Sequence, residues 1–216
     1  MKRKKRAVKK TKKRLPIKHW SHSSLMAFLR NPLAWYKRYV EEIYDTPKTP
    51  AAIVGSAGHL ALEHFYRQVS ENQANAFESL GRASAGGKTS SKYFLKKFYK
   101  GASKEFAIQK GLESLRDIAD FEIDFGRAKT RRAKKEKRAQ MEQDYLRAIS
   151  FYLARPPKHD VLGVEVRGTA EVPGLPLPIK AISDLVVASS VEKGAVDIVD
   201  HKFVASFSKG GAEKTL

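Results

Sequence analysis

The sequence predicts an α/β (α+β) fold in which a helical N-terminal half precedes a β-sheet core. Two observations predict this class. Apolar residues recur at helical spacing over most of residues 19–155, and after Pro156-Pro157 the pattern changes to β-branched segments of alternating polarity. The sequence contains no cysteine, which excludes disulfides, Cys-based zinc sites, Fe–S clusters and thiol catalysis. No run of 18 apolar residues is present, which excludes a membrane span.

The charge balance is strongly basic. The chain has 42 Lys and Arg against 23 Asp and Glu, a formal charge of +19, and ten of the basic residues fall in residues 1–14. Without them 32 basic residues still face 23 acidic ones, a net charge of +9. Such a surplus predicts a polyanionic partner, nucleic acid before an anionic membrane. Residues 1–18 are predicted to be a disordered basic arm, either a solubilising or localisation tail or a DNA-gripping arm.

The folded domain is predicted over residues 19–216, with its helical part at 19–155 and its sheet core at 160–205. Ser21 or Ser23 caps a first helix, and Asn31-Pro32 ends it and begins a second. The helices carry apolar residues at a buried-face spacing, among them Leu25, Phe28, Leu29, Trp35, Tyr36 and Tyr39. A further helix follows Gly55 and Gly58. Residues 70–92 are predicted as a loop or weakly ordered insertion, with Gly86-Gly87-Lys88 as a linker rather than a phosphate loop.

A basic run precedes the last helical stripe. Residues 127–138 hold eight basic residues and one acid, and Met141, Tyr145 and Ile149 then recur at helical spacing. The basic run is either a solvated helix face or a stripe that follows phosphates, and the charge of the whole domain favours the second. The candidate DNA-binding residues are Arg127, Lys129, Arg131, Arg132, Lys134 and Lys135.

Three strands are predicted at residues 161–172, 177–188 and 195–204. In the third, Asp200 and Lys202 share one face, and in a hairpin with the second strand Asp184 lies near Asp200. A carboxylate and an amine are costly to bury on an apolar strand unless they act together, and two neighbouring carboxylates favour a hard cation such as Mg²⁺. The alternative is a pair of exposed acids with a salt-bridging lysine. The pattern alone leaves both open.

Five segments, in order, resemble motifs of the RecB-type branch of the PD-(D/E)xK nuclease superfamily. They are SHSSLMAFLRNPLAWYKRYV, VGSAGHLALEHFY, VLGVEVRG, IKAISDLVV and IVDHKF, and they extend from Ser21 to Phe203. The resemblance implies a restriction-endonuclease-like core, in which helices flank a mixed β-sheet. It also implies a metal-dependent deoxyribonuclease.

The resemblance also assigns roles to individual residues. It implies that His59, Asp184 and Asp200 bind Mg²⁺ or Mn²⁺ and that Lys202 is the catalytic lysine. Glu63 and Glu165 are accessory acids, with a structural salt bridge expected for Glu63. His64 and His201 match nothing catalytic.

The chain departs from the family pattern at three places. Asn31 stands where many relatives have a cysteine, so no Fe–S cluster is expected. Ala181 stands where a glycine is usual. A helix with the family's Gln-x-x-x-Tyr is expected beyond Leu216.

The resulting prediction is an Mg²⁺- or Mn²⁺-dependent DNA nuclease of exonuclease type that acts on single- or double-stranded DNA. DNA is the expected partner rather than a membrane. Its expected setting is DNA repair, recombination, phage or CRISPR-related processing, with a helicase or recombination partner. The expected location is the cytoplasm of a bacterial, archaeal or phage-infected cell, or the nucleus or an organelle of a eukaryotic one. One alternative is a non-catalytic DNA-binding module derived from a nuclease fold. Another is a ribosome-associated basic protein, which explains the charge but not the Asp184, Asp200 and Lys202 pattern.

Overall fold

The computed structural model describes residues 16–79 and 92–203. In these residues six α-helices precede three β-strands, which confirms the predicted fold class. The helices are α1 His22–Arg30, α2 Pro32–Tyr39, α3 Pro50–Ser79, α4 Lys92–Lys100, α5 Lys104–Asp117 and α6 Arg131–Ala154. A short 3₁₀ helix spans Asp120–Glu122, and the strands are β1 Val161–Ala170, β2 Ile179–Ala188 and β3 Val196–Val199. None of the described helices is long and apolar enough to cross a membrane. Residues 1–15 of the predicted basic arm lie outside the described residues.

The chain divides into two compact units, and the smaller one contains the residues up to Tyr44 together with Gly168–Ala181. Its helices begin and end where their caps predict. The Ser21 hydroxyl accepts the main-chain N–H of Ser24, and the Asn31 side chain accepts that of Ala34. Pro32 is tolerated directly after Asn31 because the first N–H groups of a helix have no partner within it.

Burial in the smaller unit differs from the prediction at several positions. Trp35 is buried and stacks on Trp20 with ring centroids 5.5 Å apart. Tyr36 is 45% exposed and Leu29 is 67% exposed, so the burial predicted for them is wrong. On α1 the buried side chain is Ser24, whose hydroxyl is held by the capping box at Ser21.

The larger unit contains Asp45–Arg167 and the chain from Ile182 onward, and α3 lies at the centre of its core. Contacts between helices are close. A Cβ at Gly111 of α5 would lie 2.6 Å from the main-chain oxygen of Ala57 on α3, so the two helices approach closely only because residue 111 is glycine. The stripe predicted on α6 is confirmed, since Met141, Tyr145 and Ile149 are buried.

The loop predicted from residue 70 is wrong as far as Ser79, because α3 continues to that residue. Buried Val69 and buried Gln73 are four residues apart, so they extend the core-facing side of the helix by another turn. The Gln73 side chain hydrogen-bonds Asp160, which offsets part of the cost of burying a polar group. Gly86-Gly87-Lys88 lies outside the described residues.

The strands lie in the order β1-β2-β3 within the described residues. The predicted hairpin is confirmed, since β2 and β3 are antiparallel with Leu185 opposite Val199 and Val187 opposite Asp197. However, β3 ends at Val199, so Asp200 and Lys202 follow the strand instead of belonging to it. The physical reason is that the main-chain N–H of His201, two residues after Val199, donates to the Asp184 side chain rather than continuing the ladder.

Candidate active site

Three parts of the larger unit meet at the carboxylate of Asp184: strand β2, which carries it, helix α3 and the segment after β3. The main-chain N–H of His201 donates to Asp184 Oδ2 at 2.7 Å, and His59 Nδ1 of α3 lies 3.2 Å from the same oxygen. The Asp184 side chain is 17% exposed, so these contacts are only partly screened by water. The ring of Phe203 packs on α3 at Gly58, where any Cβ would lie within 2.6 Å of it. Glycine at position 58 therefore allows the chain after β3 to approach α3.

A small cavity of about 10 Å³ lies beside Asp184. Its lining residues come from α3, from the two longer strands and from the segment after β3: His59, Leu62, Glu63, Tyr66, Val164, Glu165, Asp184, Leu185 and His201. The cavity is smaller than the roughly 300–1,000 Å³ typical of sites for small organic molecules. Carboxylate oxygens and an imidazole are donors that divalent cations accept. The cavity is therefore too small for an organic cofactor, and its size is that of a single small ion or water.

Glu165 reaches this cavity because β1 is locally irregular. Its φ is +52°, in the left-handed region that side-chain-bearing residues rarely adopt, and both Val164 and Glu165 line the cavity. In a regular strand these neighbours would point to opposite faces. Burial, together with the nearby carboxylates of Glu63 and Asp184, raises the pKa of Glu165. A cation in the cavity would relieve that repulsion, so the chemical character of these donors, although not their spacing in this structure, is that of a divalent metal site.

Asp200 and Lys202 are arranged differently from the other predicted site residues. Lys202 Nζ lies 2.7 Å from Asp200 Oδ2, and their side chains are 65% and 57% exposed. The paired register ends at Leu185 and Val199, so Asp184 and Asp200 each lie one residue beyond the last pair. In the described part of the chain, no three His, Asp or Glu side chains are grouped closely enough to hold a metal ion. The structure thus brings His59, Asp184 and the two accessory acids together, and pairs Asp200 with Lys202 outside the cavity lining.

The accessory acid Glu63 forms the salt bridge expected for it. Its carboxylate accepts two hydrogen bonds from Arg67, one turn later on α3, the shorter at 2.7 Å. His64, for which no catalytic role is predicted, packs edge-on against Phe106. Both contacts belong to the packing of the helical layer.

His201, which the sequence analysis treats as an ordinary histidine, is a central residue of the site. It is 8% exposed, and burial lowers the pKa of its imidazole. Its Nε2 lies 3.0 Å from the hydroxyl of Tyr152 on α6, and that hydroxyl lies 2.7 Å from the hydroxyl of Tyr66 on α3. Burial raises the pKa of both phenols, so they keep their protons. A signal was present in the sequence, because alternation puts His201 on the core-facing side with Val199, where a polar side chain needs a partner.

The predicted DNA-binding residues lie at and before the beginning of α6. Arg127, Lys129, Arg131, Arg132 and Lys135 are exposed. Lys134 is half-buried, with its ammonium group 5.3 Å from the centre of the Phe125 ring. The first turn of α6 contains no acid. Cations at this end of a helix oppose its macrodipole, so their concentration there is unfavourable for the helix itself.

Comparison with known proteins identifies the family. No curated protein and no solved structure matches the chain significantly. The family model of the PD-(D/E)XK nuclease superfamily matches residues 19–209, which include every candidate residue of the site. The match covers well over half of the sequence, and the fold and the acidic cavity agree with it. The chain belongs to the PD-(D/E)XK nuclease superfamily.

Proposed function

We propose that this protein is an Mg²⁺- or Mn²⁺-dependent deoxyribonuclease of the RecB type, which hydrolyses phosphodiester bonds from DNA ends. The observation that carries the proposal is the convergence of His59 and the main-chain N–H of His201 on the partly buried Asp184. Membership of a nuclease superfamily supports phosphodiester hydrolysis. The net charge of +19 supports a polyanionic substrate.

The proposed metal ligands are Asp184, His59 and Asp200, with Glu165 as an accessory acid. Nucleases of this superfamily generally use divalent metal ions. When bound, such an ion polarises a phosphate oxygen and lowers the pKa of a bound water. Asp184 can serve as a metal ligand because a carboxylate has about four lone-pair sites. Its two contacts at Oδ2 leave lone pairs available for a metal ion. Glu165 adds negative charge beside it, which strengthens attraction for a cation.

Lys202 is proposed to act on the scissile phosphate. Its ammonium group has three N–H donors and cannot bind a metal ion, and at 65% exposure it is accessible to DNA. Its pairing with Asp200 holds it beside the second acid of the motif. There it can donate to a phosphate oxygen as negative charge develops, or orient the attacking water.

The exposed basic residues at the beginning of α6 are proposed to hold the DNA backbone. Arg131 and Lys135 are four residues apart, so they lie on one face of the helix. The positive end of the helix macrodipole and these cations attract the same anion. Contacts of this kind position the DNA without reading its sequence.

Neutralising this face should weaken DNA binding without loss of stability. The double variant Arg131→Gln and Lys135→Gln should bind DNA more weakly, with a salt dependence shallower by about two in log–log slope. Thermal stability should stay the same or rise, because Arg131 opposes the helix macrodipole in the first turn. The control is Lys104→Gln with Lys110→Gln on α5, which removes the same charge elsewhere. If both double variants lose affinity equally, overall charge rather than α6 is responsible.

The proposed function is tested by digestion of DNA with the full chain. With Mg²⁺ or Mn²⁺ the protein should degrade linear single- or double-stranded DNA and spare closed circles, and EDTA should stop the reaction. Linear RNA of the same length measures the preference for DNA. Cleavage of closed circles would contradict exonuclease action. Binding of DNA with no cleavage under either metal would contradict the nuclease proposal.

A non-catalytic DNA-binding module is the second candidate function. The observation that favours it is the pairing of Asp200 with Lys202 at the surface, apart from the cavity lined by Asp184. The digestion described above separates the two candidates. Under either one, a role in repair, recombination, phage or CRISPR-related processing with a helicase or recombination partner remains our proposal. A bacterial, archaeal or phage-encoded protein would act in the cytoplasm, and a eukaryotic one in the nucleus or an organelle.

A further inference from the structure

The segment that follows β3 is held by a side chain rather than by the strand ladder. Regular pairing of β3 ends at Val199, yet the main-chain N–H of His201 lies 2.7 Å from Asp184 Oδ2. The imidazole of His201 is 8% exposed and stacks on the ring of Tyr66, with centroids 5.8 Å apart and planes 23° apart. The edge of the same imidazole meets Tyr152, with ring centroids 5.4 Å apart. His201, the middle residue of the Asp200 to Lys202 motif, is therefore packed between α3 and α6.

The hydrogen bonds that join Tyr66, Tyr152 and His201 form a chain in which each donor has one acceptor. His201 Nδ1 faces Asp184 Oδ2 at 3.7 Å, which is too long for a hydrogen bond but close enough for the carboxylate to favour a proton on Nδ1. Nε2 is then an acceptor, and the Tyr152 hydroxyl donates to it over 3.0 Å. The Tyr152 oxygen can accept in turn from the Tyr66 hydroxyl at 2.7 Å. Each polar atom from Nε2 to Tyr66 is thus satisfied inside the core.

We propose that Tyr152 is a positioning residue for the metal site: its hydroxyl holds the His201 ring, and so holds the His201 main-chain N–H against Asp184. The inference rests on the proposed function, since it takes Asp184 to be a metal ligand. Tyr152 belongs to a 24-residue helix and lies on the same core-facing side as buried Met141 and Ile149, so packing of that side fixes the position of its hydroxyl. Partners that orient a ligand in this way commonly change metal affinity or activity by about 10–100-fold when they are removed.

The test uses Tyr152→Phe and a matched control on the same helix. Tyr145 is also buried, and its hydroxyl donates to the main-chain oxygen of Ile108 at 2.7 Å, remote from Asp184 in the hydrogen-bond network. Tyr145→Phe loses one buried phenolic hydrogen bond and Tyr152→Phe loses two, so both should melt at a lower temperature than wild type and Tyr152→Phe at the lowest. Calorimetry should show Mn²⁺ binding weakened about ten-fold or more in Tyr152→Phe and unchanged in Tyr145→Phe. The cleavage rate at saturating DNA should fall in parallel, with KM for DNA unchanged.

His201→Phe supplies an independent measurement on the other partner. It keeps the ring and the main-chain N–H but removes the acceptor for Tyr152, so it should weaken Mn²⁺ binding to a similar extent. The double variant His201→Phe with Tyr152→Phe should bind Mn²⁺ no more weakly than either single variant, because all three lack the same hydrogen bond. Equal Mn²⁺ affinity in wild type and Tyr152→Phe, with an active wild type, overturns the positioning role alone. A wild type that neither binds Mn²⁺ nor cleaves DNA overturns the proposed function and this inference with it.

Discussion

Asp184→Asn is expected to abolish metal-dependent cleavage, with a loss of about 10³-fold or more in rate. The change removes the negative charge at the point where His59 and the His201 N–H converge, while the amide oxygen can still accept from that N–H. Loss of a metal ligand removes several kcal/mol of charge stabilisation in the transition state, and about 4 kcal/mol corresponds to 10³-fold. The rate is measured on linear DNA in Mn²⁺, and the rise in melting temperature that Mn²⁺ causes in wild type should disappear.

The matched control for this experiment is Asp197→Asn. Asp197 is an exposed carboxylate of β3, opposite Val187 in the same hairpin and apart from the cavity lining. Its conversion to an amide should leave both the cleavage rate and the Mn²⁺-induced shift as in wild type. An Asp184→Asn protein that still shows the full shift in melting temperature would remove Asp184 from the metal site.

Lys202→Ala should separate chemistry from binding. The side chain is 65% exposed, so its loss should leave the free energy of unfolding within about 0.5 kcal/mol of wild type. Because an ammonium group cannot bind a metal ion, Mn²⁺ affinity should also be retained. Removal of one donor aimed at developing charge costs roughly 10²–10³-fold in rate. We therefore expect a protein that binds DNA and Mn²⁺ nearly as wild type does but cleaves much more slowly.

Lys193→Ala serves as the control for loss of one surface charge. Lys193 lies in the turn between β2 and β3 and is exposed, but it is outside the Asp200 to Lys202 segment. Its removal should change the cleavage rate by no more than a small factor. Equal metal-dependent rates in Lys202→Ala and wild type would show that this lysine is not the catalytic one.

Much of the fold could be predicted because its signals are local. Ser21 and Asn31 mark helix ends by hydrogen bonds to N–H groups three residues away, and these bonds are present. The β2–β3 hairpin follows from two alternating segments joined by a short polar turn. The end of α3 was not predictable in this way, because residues 70–79 are mostly polar and the buried Gln73 among them is hydrogen-bonded to Asp160, 87 residues later.

The candidate site was predicted only in part, and from the family resemblance rather than from local signals. His59 and Asp184 are brought together as expected, 3.2 Å apart. The role of His201 was missed because its partner Tyr152 lies 49 residues earlier, and no local pattern pairs them. The sequence could place Glu165 only at the edge of the site. Its side chain lines the cavity because its main chain has a positive φ inside β1.

The sequence by itself determined the order of helices and strands, the β2–β3 hairpin, and the basic character of the beginning of α6. These follow from periodicity, turn residues and charge, which act between near neighbours in the chain. Only the tertiary structure decided which polar groups line the cavity beside Asp184 and which contact other residues. Lys134, for example, lies over the ring of Phe125. The physical reason is that periodicity tells which face of an element is buried, whereas the partner on the other side depends on how distant elements pack.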